Sequence, residues 1–183
     1  MTKQDSIRLF ESIYPNFFEK EYIRALPEEC VCDEMLLCLK EFDPHSYTKE
    51  LGGDVTFGEY HGDLETVKEA VSKVEPNWAY YYNGKQRIYC GYIGGEIACF
   101  CLISELGEHT VGGKTLKIGG PGCVGTIPQY RNRGIGLTMV KQVTQILQEE
   151  GYDYGYIHYT GVAPWYAKLG YTTVLQWNKH GVL

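Results

Sequence analysis

The residues best suited to chemistry stand together in "YRNRGIG", Tyr130 to Gly136. Arg131, Asn132, Arg133, Gly134, Ile135 and Gly136 form an R-x-x-G-x-G pattern just before the helix formers "LTMVKQVTQILQEE". The first turn of a helix leaves backbone N–H groups unpaired and carries a partial positive charge. Phosphate oxygens fit there. Glycine lets an anion come closer to the backbone than a Cβ would allow, and two arginines add attraction. The chemistry on offer is the cradling of a phosphate or pyrophosphate. On its own, the hexapeptide is explained at least as well by a glycine-softened turn with solvated arginines. A strand pattern before it and a long helix after it favour the anion site.

Other phosphate patterns fit worse. "GPGCVGT", Gly120 to Thr126, imitates part of a P-loop, but no Lys follows Gly125. No G-x-G-x-x-G follows a strand pattern with a later acidic partner, which argues against a dinucleotide fold. The formal charge of -6 argues against a broad nucleic-acid surface and leaves room for a cationic small molecule. No apolar run reaches the ~20 residues of a membrane span, and the N-terminal "MTKQDSIRLF" has no signal-peptide core. The seven cysteines include no C-x-x-C pair; they read as buried, reduced thiols of a cytoplasmic protein, with no metal site.

Around the motif, apolar spacing sets out the elements. Helices are expected over "DSIRLFESIY", "FFEKEYIRAL" and "PEECVCDEMLLCLKEF", the last from Val31, Met35, Cys38 and Phe42 at helical spacing with Pro27 in a first turn. "VTFGEY" reads as a strand and "DLETVKEAVSKV" as a helix. "RIYCGYI" and "EIACFCLISEL" flank Gly94-Gly95, and a second hairpin turns through Gly112-Gly113. "GCVGTI" extends the meander, with His109 expected in a turn. A helix closed by Gly151, the strand "YDYGYIHYT", the short helix "APWYAKLG" and the strand "YTTVLQW" complete the chain. The fold class is α/β (α+β): one mixed, mostly antiparallel twisted sheet flanked by helices. A helical N-terminal extension over residues 1–50 precedes a main domain over 51–183.

The segment "IPQYRNRGIGLTMV" resembles the acetyl-coenzyme A signature of the GNAT superfamily of N-acetyltransferases. "APWYAKLGY" resembles that family's second signature, at the usual separation. The likeness covers about residues 54–183 in element order and is motif-specific from about Cys123 to Tyr171. It implies an enzyme using acetyl-CoA as cosubstrate. The amides of Arg131 through Gly136, and of Leu137, would bind the pyrophosphate. Val124 and Thr126 would pair with the pantetheine arm, and the Val124 amide would polarise the thioester carbonyl. Tyr166 matches the general acid; a tyrosine simply packed beneath the coenzyme is the alternative. Trp165 reads as packing. Thr160 replaces an Asn that helps hold the coenzyme in many members.

The family's strand carboxylate is missing from "KIGGPGC". His158, sharing a strand face with Tyr152, Tyr154 and Tyr156, is the best candidate base; a structural histidine explains it as well. His109 and Glu105 rank lower. Alternation turns Cys123 away from Val124, so direct attack is expected over a covalent cysteine route. The implied acceptor is the primary amine of a small molecule such as a polyamine, amino sugar or antibiotic. The rival readings are a protein or peptide amine and a non-catalytic acyl-CoA sensor. Neither nucleic acid nor membrane is an expected partner. The first ~50 residues are candidates to cover the acceptor, extend the core or form a homodimer surface.

Overall fold

A computed structural model describes all residues 1–183. The chain begins with helix α1 (Lys3–Ile13), capped reciprocally: Thr2 Oγ1 accepts from the Asp5 amide at 3.1 Å, and the Asp5 carboxylate accepts from the Thr2 amide at 3.3 Å. The expected second helix is a 3-10 turn at Phe17–Glu19 followed by the single-turn helix α2 (Glu21–Arg24).

The expected third helix is a strand. Strand β1 (Cys32–Cys38) lies inside the sheet. Cys32, Glu34, Met35, Leu36 and Leu37 are all buried. A strand covered on both faces is apolar throughout, so its residues also satisfy a helical spacing. The segment over residues 1–50 is therefore helical at its start, but its stretch Cys32–Cys38 is part of the main sheet.

The remaining elements follow the expected order. They are β2 (Val55–Glu59), α3 (Leu64–Ser72), β3 (Arg87–Ile93), β4 (Glu96–Val111), β5 (Lys114–Thr126), α4 (Ile135–Glu149), β6 (Tyr154–Thr160), α5 (Ala163–Tyr166), β7 (Thr172–Asn178) and β8 (Gly181–Val182). His109 lies within β4 and not in a turn, because that strand runs on to the Gly112-Gly113 hairpin. The eight-stranded sheet has the order β2-β3-β4-β5-β6-β1-β7-β8. Every neighbouring pair is antiparallel except β5 and β6.

Helix α4 covers one face, packing Met139, Val140, Val143 and Leu147 against Met35, Leu37, Cys101, Ile103 and Ile157. On the other face, α3 buries Val67 and Val71 against Phe100 and Leu102. Beside it, α1 buries Leu9 against Leu36, Ile118 and Tyr156. Each such side chain contributes about 1.5–3 kcal/mol when fully buried.

The parallel pair β5–β6 holds only at Ile118↔Tyr154 and Gly119↔Gly155. Beyond it the two strands part. Pro121 brings no N–H to the ladder just past the last pair. Cys123 then takes φ 47°, and the β4–β5 register slips between Phe100 and Leu102. This is a bulge, with two residues of β5 set against one of β4. The buried Tyr82 hydroxyl locks it by donating to the Cys123 carbonyl at 2.8 Å.

Gly120 sits at the fork, where a Cβ would land on the Tyr156 carbonyl oxygen. Gly120→Ala is expected to lose about 2–3 kcal/mol in urea unfolding, because a backbone atom cannot swing aside. Gly58→Ala, with open space at its Cβ, should stay within about 0.5 kcal/mol of the parent. Equal stability of the two variants would refute this account of the fork.

Candidate functional site

The fork and the start of α4 enclose a cavity of about 720 Å³. Its lining includes Val124 and Thr126 from β5, Arg131, Asn132, Gly134, Ile135 and Gly136 from the glycine loop, and Tyr166 from α5. The sequence motif is therefore assembled in space around one hollow.

The loop presents backbone to that hollow. Gly134 is the N-cap of α4, at φ 82°, and no side chain caps the helix. The first helical bond comes from the Thr138 amide to the Gly134 carbonyl at 3.0 Å. The amides of Ile135, Gly136 and Leu137 precede it and are left for an anion. A Cβ on Gly136 would meet Thr126 Oγ1 and, at 3.5 Å, the Trp165 ring. Any side chain there fills the cradle.

Charge agrees with backbone. Arg131, Lys49 and Lys168 line the cavity, and no carboxylate does. In a chain of net charge -6, this is a local reversal of sign that favours an anionic ligand. Arg131 is held in place by a bond from its Nε to the Thr126 carbonyl at 3.0 Å. Sequence reasoning missed Lys49 and Lys168. Lys49 arrives on a loop that Lys141 Nζ ties down through the Tyr47 carbonyl at 3.1 Å, and nothing local to "YTKELGG" signals that placement.

Tyr166 is buried, and burial pushes its phenol well above the usual tyrosine range. Beyond the last β5–β6 pair, Val124 faces no strand on its β6 side, so the parting that would free such backbone groups is present. Three other sequence candidates lie outside the hollow. Arg133 is exposed and does not line the cavity. Thr160 is buried, and its hydroxyl accepts from the Val162 amide at 3.1 Å. His158 is on the opposite face of the sheet, beside α1. Tyr14 stacks on its ring at 3.8 Å, and its Nδ1 meets Glu34 at 2.9 Å. It shares that face with Tyr154 and Tyr156, but Tyr152 precedes the strand and packs with Leu147 on the α4 side.

The lower-ranked His109 is engaged elsewhere, with Ser12 at 2.7 Å and the Leu106 carbonyl at 2.8 Å. Cys123 packs on the α3 side while Val124 packs on the α4 side. Burial raises the Cys123 thiol to about 11, which suits a structural thiol better than a nucleophile.

Residues 59–174 match the model of an acetyltransferase (GNAT) domain. The chain belongs to the GNAT family. No curated protein matches it, but solved structures share its fold. One is the GCN5-related glucosamine N-acetyltransferase region of a fungal multi-domain GH3 beta-N-acetylglucosaminidase, with TM-score 0.65 and 16% identity over 82% of this chain and 20% of that one. Others are GCN5-related N-acetyltransferases from Kribbella flavida (TM-score 0.54, 15% identity, 81% and 56% covered) and Sphaerobacter thermophilus (0.53, 18%, 78% and 48%). The chain thus spans between a fifth and just over half of these relatives. A GNAT fold supports acyl transfer in general. No helix of this member is long and apolar enough to cross a membrane.

Inorganic pyrophosphate is a direct probe of the GNAT cradle. Calorimetry is expected to show binding by the parent protein and at least a tenfold loss, about 1.4 kcal/mol, in Gly136→Val, with unchanged far-ultraviolet circular dichroism. Equal binding by a folded variant would move the anion site elsewhere.

Proposed function

We propose that this chain is an N-acetyltransferase that moves an acetyl group from acetyl-CoA directly to the primary amine of a small molecule. The observation that carries the reading is the convergence of three parts on one hollow. These are the uncapped start of α4 with its cations, the fork edge at Val124 and Thr126, and the buried phenol of Tyr166.

In this reading the α4 amides and Arg131 hold the pyrophosphate, with Lys49 and Lys168 adding attraction. Thr126 and Val124 align the pantetheine arm as an added strand. The Val124 amide faces the oxygen that becomes negative when the amine attacks. Carbon–nitrogen bond formation then gives way to carbon–sulfur cleavage, and Tyr166 donates its proton to the leaving thiolate. Its phenol suits that task because it remains protonated at neutral pH. The amine's proton leaves on the other face of the sheet, toward His158.

The acceptor approaches from that second face, since the coenzyme takes the first. It carries Tyr14, Tyr22 and Tyr81, and the last two are 54% and 48% exposed. Burial first, and Glu34 second, raise the Tyr14 phenol, and burial raises that of Tyr81, so both stay neutral. Aromatic faces attract ammonium groups, which suits an amine more than a neutral alcohol. The glucosamine N-acetyltransferase likeness makes an amino sugar the first acceptor to try.

The test is release of free CoA from acetyl-CoA with glucosamine, spermidine and an aminoglycoside in turn. Turnover of one is the expected result. Acetyl-CoA binding without any turnover would turn the reading into a sensor domain. In Tyr166→Phe, kcat should fall about 100-fold while acetyl-CoA affinity stays within about threefold. Because the phenol's pKa is raised, its donor form persists past pH ~10, the ordinary tyrosine value. No alkaline loss of rate below that pH should therefore disappear in Tyr166→Phe. A loss that does disappear would mean that Tyr166 titrates below pH ~10 and would refute its raised pKa.

A further inference from the structure

We infer that Glu34 is a positioning residue that holds the His158 imidazole with its Nε2 lone pair ready to take the acceptor's proton. This rests on the acetyl-transfer reading above. It adds a residue of β1, a strand outside the segment that matches the family model.

Glu34 has no exposed surface, yet it sits in a central strand among Met35, Leu36 and Leu37. Packing alone gives that strand no reason to bury a carboxylate. Both ladders of β1 slip at this residue. Along β6, Met35 pairs with Ile157 but Asp33 pairs with Thr160, and the β7 register shifts between Glu34 and Met35. The slip sets His158 and Tyr159 together opposite Glu34, with Tyr159 at φ 54°. Glu34 Oε1 accepts from Trp177 Nε1 at 2.7 Å and from the Tyr159 amide at 3.1 Å. Those two groups can only donate. His158 Nδ1 lies 2.9 and 3.0 Å from the two carboxylate oxygens and is the carboxylate's one ion-pair partner.

This geometry fixes the tautomer. Nδ1 must carry the hydrogen that points at the carboxylate, so in the neutral ring the lone pair is on Nε2. Both hydrogen bonds of the ring use Nδ1, and the side chain is 25% exposed. Tyr14 stacks on the ring at 3.8 Å, and Phe17 meets it edge-on at 5.2 Å.

The register places the ring at the right level. From the last β5–β6 pair, Gly119↔Gly155, three residues along β6 reach His158. The same step along β5 reaches Gly122, next to the Cys123 bulge and Val124. His158 thus stands across the fork from the residues that would hold the thioester.

No neighbour competes for the proton. The titratable and charged groups around the ring are Glu34 on β1, Tyr14 at the end of α1, Tyr156 and Tyr159 on β6, Tyr22 on α2, Cys123 on β5, and Lys20, which lies over the Phe17 ring. Burial first, and Glu34 second, push Tyr14 and Tyr156 up, so both stay neutral. The Tyr156 hydroxyl is buried without a hydrogen-bond partner.

The first test needs no substrate. Ring nitrogen-15 shifts of the parent protein, with His158 assigned through His158→Asn, should show the Nδ1–H tautomer, and Glu34→Gln should disturb it. An Nε2–H tautomer in the parent overturns the inference, whether or not the variant folds. The second test uses the amine turned over in the acceptor screen. His158→Asn and Glu34→Gln should each lower kcat at least tenfold without changing acetyl-CoA affinity, and the double variant should be no slower than His158→Asn alone. Multiplying losses would mean that Glu34 acts apart from His158 and would overturn the inference. A panel with no turnover in the parent would sink the acetyl-transfer reading, and the tautomer would still decide the positioning.

Discussion

The separation of β5 from β6 after only two bridged pairs governs everything else in this molecule. A sheet that stayed closed would spend the backbone groups of residues 120–126 on its own ladder. Here the ladder stops at Gly119↔Gly155. Several features prevent it from resuming. Gly120 fits against the Tyr156 carbonyl only because it lacks a Cβ. The Cys123 bulge is pinned by Tyr82. On the far side, β6 is drawn to β1, where Glu34 gathers the Tyr159 amide and His158. The fork is thus held open from both strands.

An open fork has two faces, and the chain gives them opposite chemistry. On the α4 side stand free amides and three cations, with no carboxylate. On the α1 side stand tyrosines, a histidine and a buried carboxylate. Such a division suits a reaction between an anionic donor and a cationic acceptor. In the proposed reaction each partner would be drawn to its own face, and the two would meet through the gap. The overall charge of -6 hides this, because it averages over both faces.

The glycine loop and the fork were legible in the sequence because their physics is local. Gly134 and Gly136 announce a close backbone approach, and "GGPGCVG" announces a strand that cannot stay regular. The two hairpins were legible for the same reason. β1 was not. Val31, Met35, Cys38 and Phe42 fit a helix as well as a buried strand, and only pairing partners far along the chain, such as Ile157 for Met35 and Tyr154 for Cys38, decide between them. With β1 misread, Glu34 could not be seen as anything but a helical surface acid. His158 was found, but its partner was not. Lys49 escaped because a loop carries it to the cavity by tertiary contacts alone.

The place of β1 changes how the N-terminal segment should be regarded. Read as a lid, residues 1–49 could be removed to ask whether acceptor kinetics change. With β1 between β6 and β7, their removal would strip two strands of their ladder and expose unpaired edges. It would also leave the Trp177 and Tyr159 donors without the carboxylate they bind. A dead protein would then report lost folding rather than a lost lid. The segment is better divided at its own joints. α1 lies on the face proposed for the acceptor, where Tyr14 stacks on the His158 ring, and Tyr22 of α2 is exposed. β1 belongs to the sheet and sets the shape of β6. Acceptor preference should therefore vary with the helices, while proton transfer varies with the strand, although both arise from one stretch of chain.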